Sequence, residues 1–230
     1  MDPRELLESV SVFSSLSARE IDALIEITTT RRLGPKEVLF RKGDPGNQLY
    51  GVLSGRLKVL ATGRAGRELV FGVMGPGDVI GEIAMMDSEP RSASVVALET
   101  SELLTLHRRE LIPFLEQHPK VAIHLAGVLA GRVRRLSAYA EDSFFLPLPA
   151  RMANTLLSLA QSYGHAAGGG APIGIRLPQQ DLADMVGTTR ESVNKQLRAW
   201  EEDGLVELGR ARVIVNDLEA LEDIAELVVV

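Results

Sequence analysis

The sequence predicts an α+β chain in three parts: an N-terminal β-roll of jelly-roll type, a long helix and a C-terminal winged helix–turn–helix. Three observations predict it. Between Arg31 and Leu106, short β-rich runs alternate with glycine turns. From 109 to 140 the turn residues disappear and apolar residues step by three and four. Near the C-terminus, a helix–glycine–helix run carries basic residues inside an acidic segment, and a hairpin follows it.

Composition sets the bounds. A chain of 230 residues fits two small domains. Apolar residues at 45% and charged residues at 24% match ordinary soluble globular proteins. No apolar stretch approaches the ~20 residues that span a bilayer. Met1-Asp2-Pro3-Arg4-Glu5 lacks the basic region and apolar core of a secretory leader. The absence of cysteine excludes disulfides, thiolate zinc sites and Cys-held iron–sulfur clusters. It also fits a cytoplasmic address. We expect no membrane partner and no bound metal.

Net charge is −6, which argues against indiscriminate nucleic-acid binding. Residues 1–139 are nearly neutral, with 18 basic and 17 acidic side chains. Residues 140–230 have 7 and 14, and five of those acids lie in the tail 217–230. Any DNA contact must therefore come from a local basic face.

Residues 2–30 read as short helices, with Leu6, Leu7 and Val10 at helical spacing. Ser17-Ala18-Arg19-Glu20 is a capping-box pattern ahead of Ile21, Leu24 and Ile25. Strands are expected over 37–41, 48–53, 56–61, 68–74, 79–80, 93–97 and 102–106. The turns between them fall at Gly43–Gly46, Ser54-Gly55, Gly63–Gly66 and Gly75–Asp78. Ala122, Leu125, Leu129, Val133, Leu136 and Ala140 then form one apolar stripe, whose spacing suits a helix-to-helix dimer seam. Leu146-Pro147-Leu148-Pro149 breaks that helix and forms a stiff linker. A second helical run covers 150–162, and 163–174 is a Gly- and Ala-rich surface loop. The expected division is 1–108 for the roll, 109–146 for the long helix and hinge, and 147–230 for the C-terminal domain with its acidic tail.

Two segments carry chemistry. The first is the loop 81–93, with Gly81, Glu82, Arg91, Ser92 and Ala93. A carboxylate accepts from a ribose hydroxyl, and a guanidinium grips phosphate with a rigid fork of donors. Ser92 adds a hydroxyl, and small residues let backbone N–H groups approach an anion. The loop suits a sugar phosphate.

The second segment is Gln180–Arg198. Ala183 lies four residues before Gly187, and Val193 lies six after it. That spacing lets two helices cross at a tight turn. Thr189 can cap the second helix. Leu182, Met185, Val186, Val193 and Leu197 supply the shared core. The second helix then exposes Thr189, Arg190, Glu191, Asn194, Lys195 and Arg198, beside Thr188 and Ser192. Arg190 suits the guanine edge in the major groove, and Glu191 can accept from a cytosine amine. Lys195, Arg198 and Gln180 suit base edges or phosphates. Residues 203–215 read as a hairpin whose turn carries Arg210 and Arg212, placed to touch phosphate as a wing.

Both segments, in this order and separation, make the chain resemble the cyclic AMP receptor/catabolite activator family of bacterial transcription regulators (CRP/FNR). The resemblance covers roughly residues 10–216. It includes Gly43-Asp44, Leu53-Ser54-Gly55, Gly77-Asp78-Val79-Ile80-Gly81-Glu82, Pro90-Arg91-Ser92-Ala93 and Thr189-Arg190-Glu191-Ser192-Val193. It implies a homodimer with a cyclic-nucleotide-binding β-roll, a dimerising helix and a DNA-binding domain. It also implies a palindromic operator with half-sites similar to TGTGA, and RNA polymerase as a further partner. On this resemblance Glu82 accepts from the ribose 2′-hydroxyl. Arg91 and Ser92 hold the cyclic phosphate, with backbone N–H groups of the Gly81–Ala84 turn, including Ile83, and of Ala93. Arg132 approaches the loop acid, and Leu136 and Ser137 meet the purine.

Two positions depart from the family's best-known members. Leu136 replaces a hydroxyl residue that bonds the adenine amine, which leaves cyclic AMP and cyclic GMP both open. Pro147 replaces an Asp at the hinge. A factor that is constitutive, or senses another small molecule, remains the alternative input. An enzyme is not expected. His107, His118, His124 and His165 lack metal-ligand spacing, and neither a nucleophile elbow nor a P-loop is present.

Overall fold

A computed structural model describes residues 4, 7, 13, 16–63, 66–163, 171–172, 178–209 and 212–226. The chain divides into two compact units, Met1–Arg135 and Leu136–Val230.

In the first unit, helix α1 (Ala18–Glu26) opens on the expected capping box. The Ser17 backbone N–H and hydroxyl donate to Glu20 at 2.7 and 2.6 Å. These bonds hold the Glu20 carboxyl below its ordinary range, with a smaller effect from His118, whose Nδ1 lies 2.8 Å away. Leu6 and Val10 lie outside the described residues, as do two residues of the Gly63–Gly66 turn.

Eight strands follow: β1 (Thr28–Leu33), β2 (Val38–Phe40), β3 (Gln48–Ser54), β4 (Leu57–Thr62), β5 (Glu68–Met74), β6 (Val79–Ile80), β7 (Ser94–Ala97) and β8 (Ser101–His107). They form two antiparallel four-stranded sheets, ordered β1-β8-β3-β6 and β2-β7-β4-β5. Alternation along β3 shows how the roll is filled, because successive side chains point to opposite faces. Tyr50 and Val52 face the other sheet with Leu57, Val95 and Ala97. Leu49 and Leu53 face a helical layer with Ile21, Leu24, Leu111, Phe114, Val121 and Leu125.

Several expectations are corrected. Residues 28–30 are not helical: they begin β1, paired with β8. The segment 81–93 is not one loop, because it contains helix α2 (Glu82–Asp87). The helical stretch from 109 is two helices, α3 (Arg108–Gln117) and α4 (Pro119–Phe145), broken at His118 before a proline. The stripe on α4 divides into a buried and an exposed part. Leu125, with Val121 and half-buried Ala122 and Val128, belongs to the roll's core. Val133 and Leu136 further along are 63% and 50% exposed.

In the second unit, α5 (Leu148–Tyr163) takes Leu148 and Pro149 into its first turn, which leaves only Leu146 and Pro147 between the helices. Helix α6 (Gln179–Val186) and helix α7 (Arg190–Glu202) bury Leu182, Ala183, Met185, Val186, Val193, Leu197 and Trp200. Strands β10 (Val206–Gly209) and β11 (Arg212–Val215) form the expected hairpin. Two elements were not foreseen. Strand β9 (Ala171–Pro172), within the presumed loop, adds to β11. Part of the acidic tail is helix α8 (Leu218–Ala225), capped by Asp217 on Ala220 N–H and anchored by buried Leu221. Residues 164–170 and 227–230 lie outside the described residues.

Local bonds tie this unit together. Asp142 accepts from Asn154 at 3.2 Å, and Arg151 donates to the Val186 carbonyl at 3.1 Å. A Cβ on Gly187 would lie 3.0 Å from the Tyr139 hydroxyl oxygen.

Candidate functional site

Helix α2 begins at Gly81, whose φ of +88° lies in the left-handed region that favours glycine. The helix is pinned by fully buried Met85, whose carbonyl accepts from Arg108 Nε at 2.9 Å. Glu82, in the first turn, is 1% exposed. A carboxylate this deep needs a cationic partner. Arg132 of α4 supplies it, pairing with Glu82 and also donating to the Val79 carbonyl. The structure thus brings together three positions that sequence reasoning singled out: Gly81, Glu82 and Arg132.

Arg91 is the second buried charge, 4% exposed. Its backbone is fixed by the Gly43–Asp44 turn: Gly43 N–H donates to the Arg91 carbonyl at 2.8 Å, and Arg91 N–H donates to the Asp44 carbonyl at 2.9 Å. Its side chain donates from Nη1 to the Gly81 carbonyl at 3.0 Å and from Nη2 to the Gln48 carbonyl at 2.7 Å. Burial pulls its pKa below the ordinary arginine value, opposed by Tyr50, Glu82 and Asp44. Its Nε is buried without a hydrogen-bond partner, a costly state for a charged donor. This arrangement holds a fixed positive charge with unused donor capacity beside a buried acid, which suits an anion carrying hydroxyls.

Ile83 is exposed and Ala84 buried in the first turn of α2, where N–H groups have no intrahelical acceptor. Ser92 is exposed and Ala93 buried, directly after Arg91. Leu136 and Ser137 belong to the second unit, exposed on α4. Gln48, Phe40 and Tyr50 were missed as neighbours of Arg91. Their spacing is that of ordinary strand residues.

In the second unit Thr189 caps α7, accepting from Ser192 N–H at 3.2 Å. Arg190, Glu191, Lys195 and Arg198 are exposed on α7, and Thr189 and Gln180 are exposed beside it. Asn194 is half-buried and its Oδ1 accepts from Gln179 Nε2 at 3.2 Å, which leaves its Nδ2 donors for other partners. Thr188 and Ser192 are also half-buried. Arg212 is exposed at the start of β11, and Arg210 lies outside the described residues. His107 is within 3.2 Å of Gln48, and His118 packs against Phe114 with the rings tilted by 37° while facing Glu20. His165 lies outside the described residues. No described helix is long and apolar enough to cross a membrane.

Fold and site define a class: a β-roll with a buried acid–guanidinium site, followed by a winged helix–turn–helix. Residues 30–118 match the family described as cyclic nucleotide-binding domain, and residues 150–224 match the Crp-like helix-turn-helix domain. The chain is 32% identical over 222 residues to the CRP-like cAMP-activated global transcriptional regulator of Mycobacterium tuberculosis, covering 94% of this chain and 97% of that one. It is 34% identical over 214 residues to the cyclic AMP receptor protein of Thermus thermophilus, covering 93% and 96%. A solved structure of the c-di-GMP responsive global regulator CLP of Xanthomonas campestris matches with a TM-score of 0.77 at 25% identity, covering 87% of this chain and 100% of that one. The chain belongs to the CRP/FNR family of transcription regulators, with a cyclic nucleotide-binding domain and a DNA-binding helix–turn–helix.

Gly81 makes the Arg91 pose possible, since a Cβ there would lie 2.3 Å from Arg91 Nη1 and 2.9 Å from the Gln48 carbonyl oxygen. Gly81→Ala is expected to lower stability by about 1–3 kcal/mol. It should also expel Arg91 from its cradle. Urea denaturation and a crystal structure of the variant check this, and an unmoved Arg91 would contradict it.

Proposed function

We propose that this chain is a homodimeric transcription regulator whose affinity for a palindromic operator is controlled by a cyclic nucleotide bound in the β-roll. The observation that carries this reading is the pair of adjacent buried charges, Arg91 held on the Gly81 carbonyl and Glu82 in the next residue, with Arg91 Nε, like that of Arg132, left unpartnered. An unpaired charged donor inside a protein is a standing cost that an anion relieves. In the proposed site Arg91, Ser92 and the N–H groups of the Gly81–Ala84 turn and Ala93 hold the phosphate. Glu82 accepts from the ribose; a carboxylate has several acceptor positions, so pairing with Arg132 leaves capacity. Leu136 and Ser137 meet the base.

We assign cyclic AMP as effector, supported by the two relatives described as cAMP-activated or as cyclic AMP receptor, with cyclic GMP the competing ligand. The exposed apolar residues Ile123, Val133 and Leu136 support α4 as the dimer seam. The functional division is 1–108, 109–146 and 147–230, with RNA polymerase as a further partner in the cytoplasm. Binding shifts the population toward a state in which two α7 helices meet successive major grooves. Arg190, Glu191, Lys195 and Arg198 read or grip the operator, with Gln180, Thr189, Arg210 and Arg212 on flanking phosphate. A second reading keeps the DNA head and changes the input, and the c-di-GMP responsive neighbour supports it.

Calorimetric titration with cyclic AMP and cyclic GMP tests the pocket. Wild type is expected to bind cyclic AMP more tightly, and Arg91→Ala to lose at least about tenfold, as for a charge-assisted contact. Unchanged binding by Arg91→Ala refutes the pocket assignment. For the head, Arg190→Ala is expected to cost about 1–3 kcal/mol on the operator and far less on random duplex. Equal losses on both would make Arg190 a phosphate contact instead.

A further inference from the structure

The Arg91 guanidinium is held from more sides than its two carbonyl acceptors. Its carbon lies 4.2 Å from the Phe40 ring centroid and 5.7 Å from that of Tyr50. The two rings are themselves stacked, with centroids 6.0 Å apart and planes at 28°. Phe40 stands on β2 and Tyr50 on β3, in different sheets, so the aromatic shelf bridges the roll. The Tyr50 hydroxyl donates to Gln48 Oε1 at 2.6 Å, and the carbonyl of that same Gln48 accepts from Arg91.

An aromatic face attracts a guanidinium without consuming any of its N–H groups. A carboxylate or carbonyl in the same place would take one. Nη1 and Nη2 each serve a carbonyl, and Nε–H remains buried and unpartnered. Ordering the side chain in advance removes an entropy cost from the binding step.

We propose that Phe40 is a positioning residue of the anion site, fixing the plane of the buried Arg91 guanidinium while leaving its Nε–H uncommitted for a phosphate. This rests on the reading of Arg91 as the phosphate holder. Phe40 does not itself touch the ligand in this scheme. It acts through Arg91.

The test compares wild type, Phe40→Leu and Phe40→Tyr in the full-length protein. Phe40→Leu keeps an apolar side chain and removes the π face. It is expected to weaken cyclic AMP binding about tenfold while leaving competition by adenosine, which lacks the phosphate, unchanged. Phe40→Tyr should bind as wild type. An independent readout is the Arg91 Nε–H signal in a nitrogen–proton correlation spectrum, assigned by its loss in Arg91→Lys. In wild type the ring current of Phe40 should displace this signal upfield, and Phe40→Leu should return it toward the ordinary arginine position. Wild-type affinity for cyclic AMP in Phe40→Leu overturns the proposal. So does an equal loss for adenosine, which would make Phe40 a wall of the pocket. If wild type takes up no cyclic nucleotide, the function proposed above fails, and the Nε–H signal alone decides the shelf: unmoved in Phe40→Leu, it overturns the proposal.

Discussion

The Glu82–Arg132 ion pair is the constraint around which the first unit is arranged. A carboxylate almost wholly removed from water carries a desolvation penalty of several kcal/mol, which only a well-placed cation offsets. Here the acid sits in the first turn of a six-residue helix, and the cation comes from α4, fifty residues later. The pair therefore sets the register of α4 on the roll. Val121 and Leu125, two to three turns earlier on the same helix, seal that register by entering the core with Leu24, Met85 and Phe114.

The same helix continues past Arg135 into the second unit, where its environment changes. Asp142 accepts from Asn154, and the Tyr139 hydroxyl lies against Gly187, the turn before α7. Within the first unit Arg132 of α4 pairs with Glu82, and within the second Tyr139 lies near the Gly187 turn. Anything that alters the partners of Glu82 acts on a side chain of that helix.

Much of this was legible in the sequence, and what was hidden has physical causes. The strands of the roll show as β-rich runs between glycine turns, and the reading head shows through the spacing of Ala183, Gly187 and Val193. Strand β1 was masked because Thr28-Thr29-Thr30-Arg31-Arg32 offers no apolar alternation, and its pairing with β8 is decided by residues seventy positions away. Helix α2 is too short to develop a period. Helix α8 was concealed by its charge: its acids dominate the composition, while Leu221 alone reaches full burial. Glu82 and Arg91 stood out as chemistry, but their burial did not, and neither did the aromatic shelf. Phe40 and Tyr50 look like any other alternating strand residues until the two sheets are brought together.

The proposed regulation requires that a ligand in the roll change what the head does. The most direct measurement is the affinity for a labelled palindromic duplex, followed by fluorescence anisotropy without nucleotide and then at saturating cyclic AMP. The account predicts that cyclic AMP tightens operator binding by about 5- to 150-fold, the usual span of coupling between two sites. Equal affinity in both conditions would contradict it, leaving a DNA-binding protein whose roll answers to some other signal or to none.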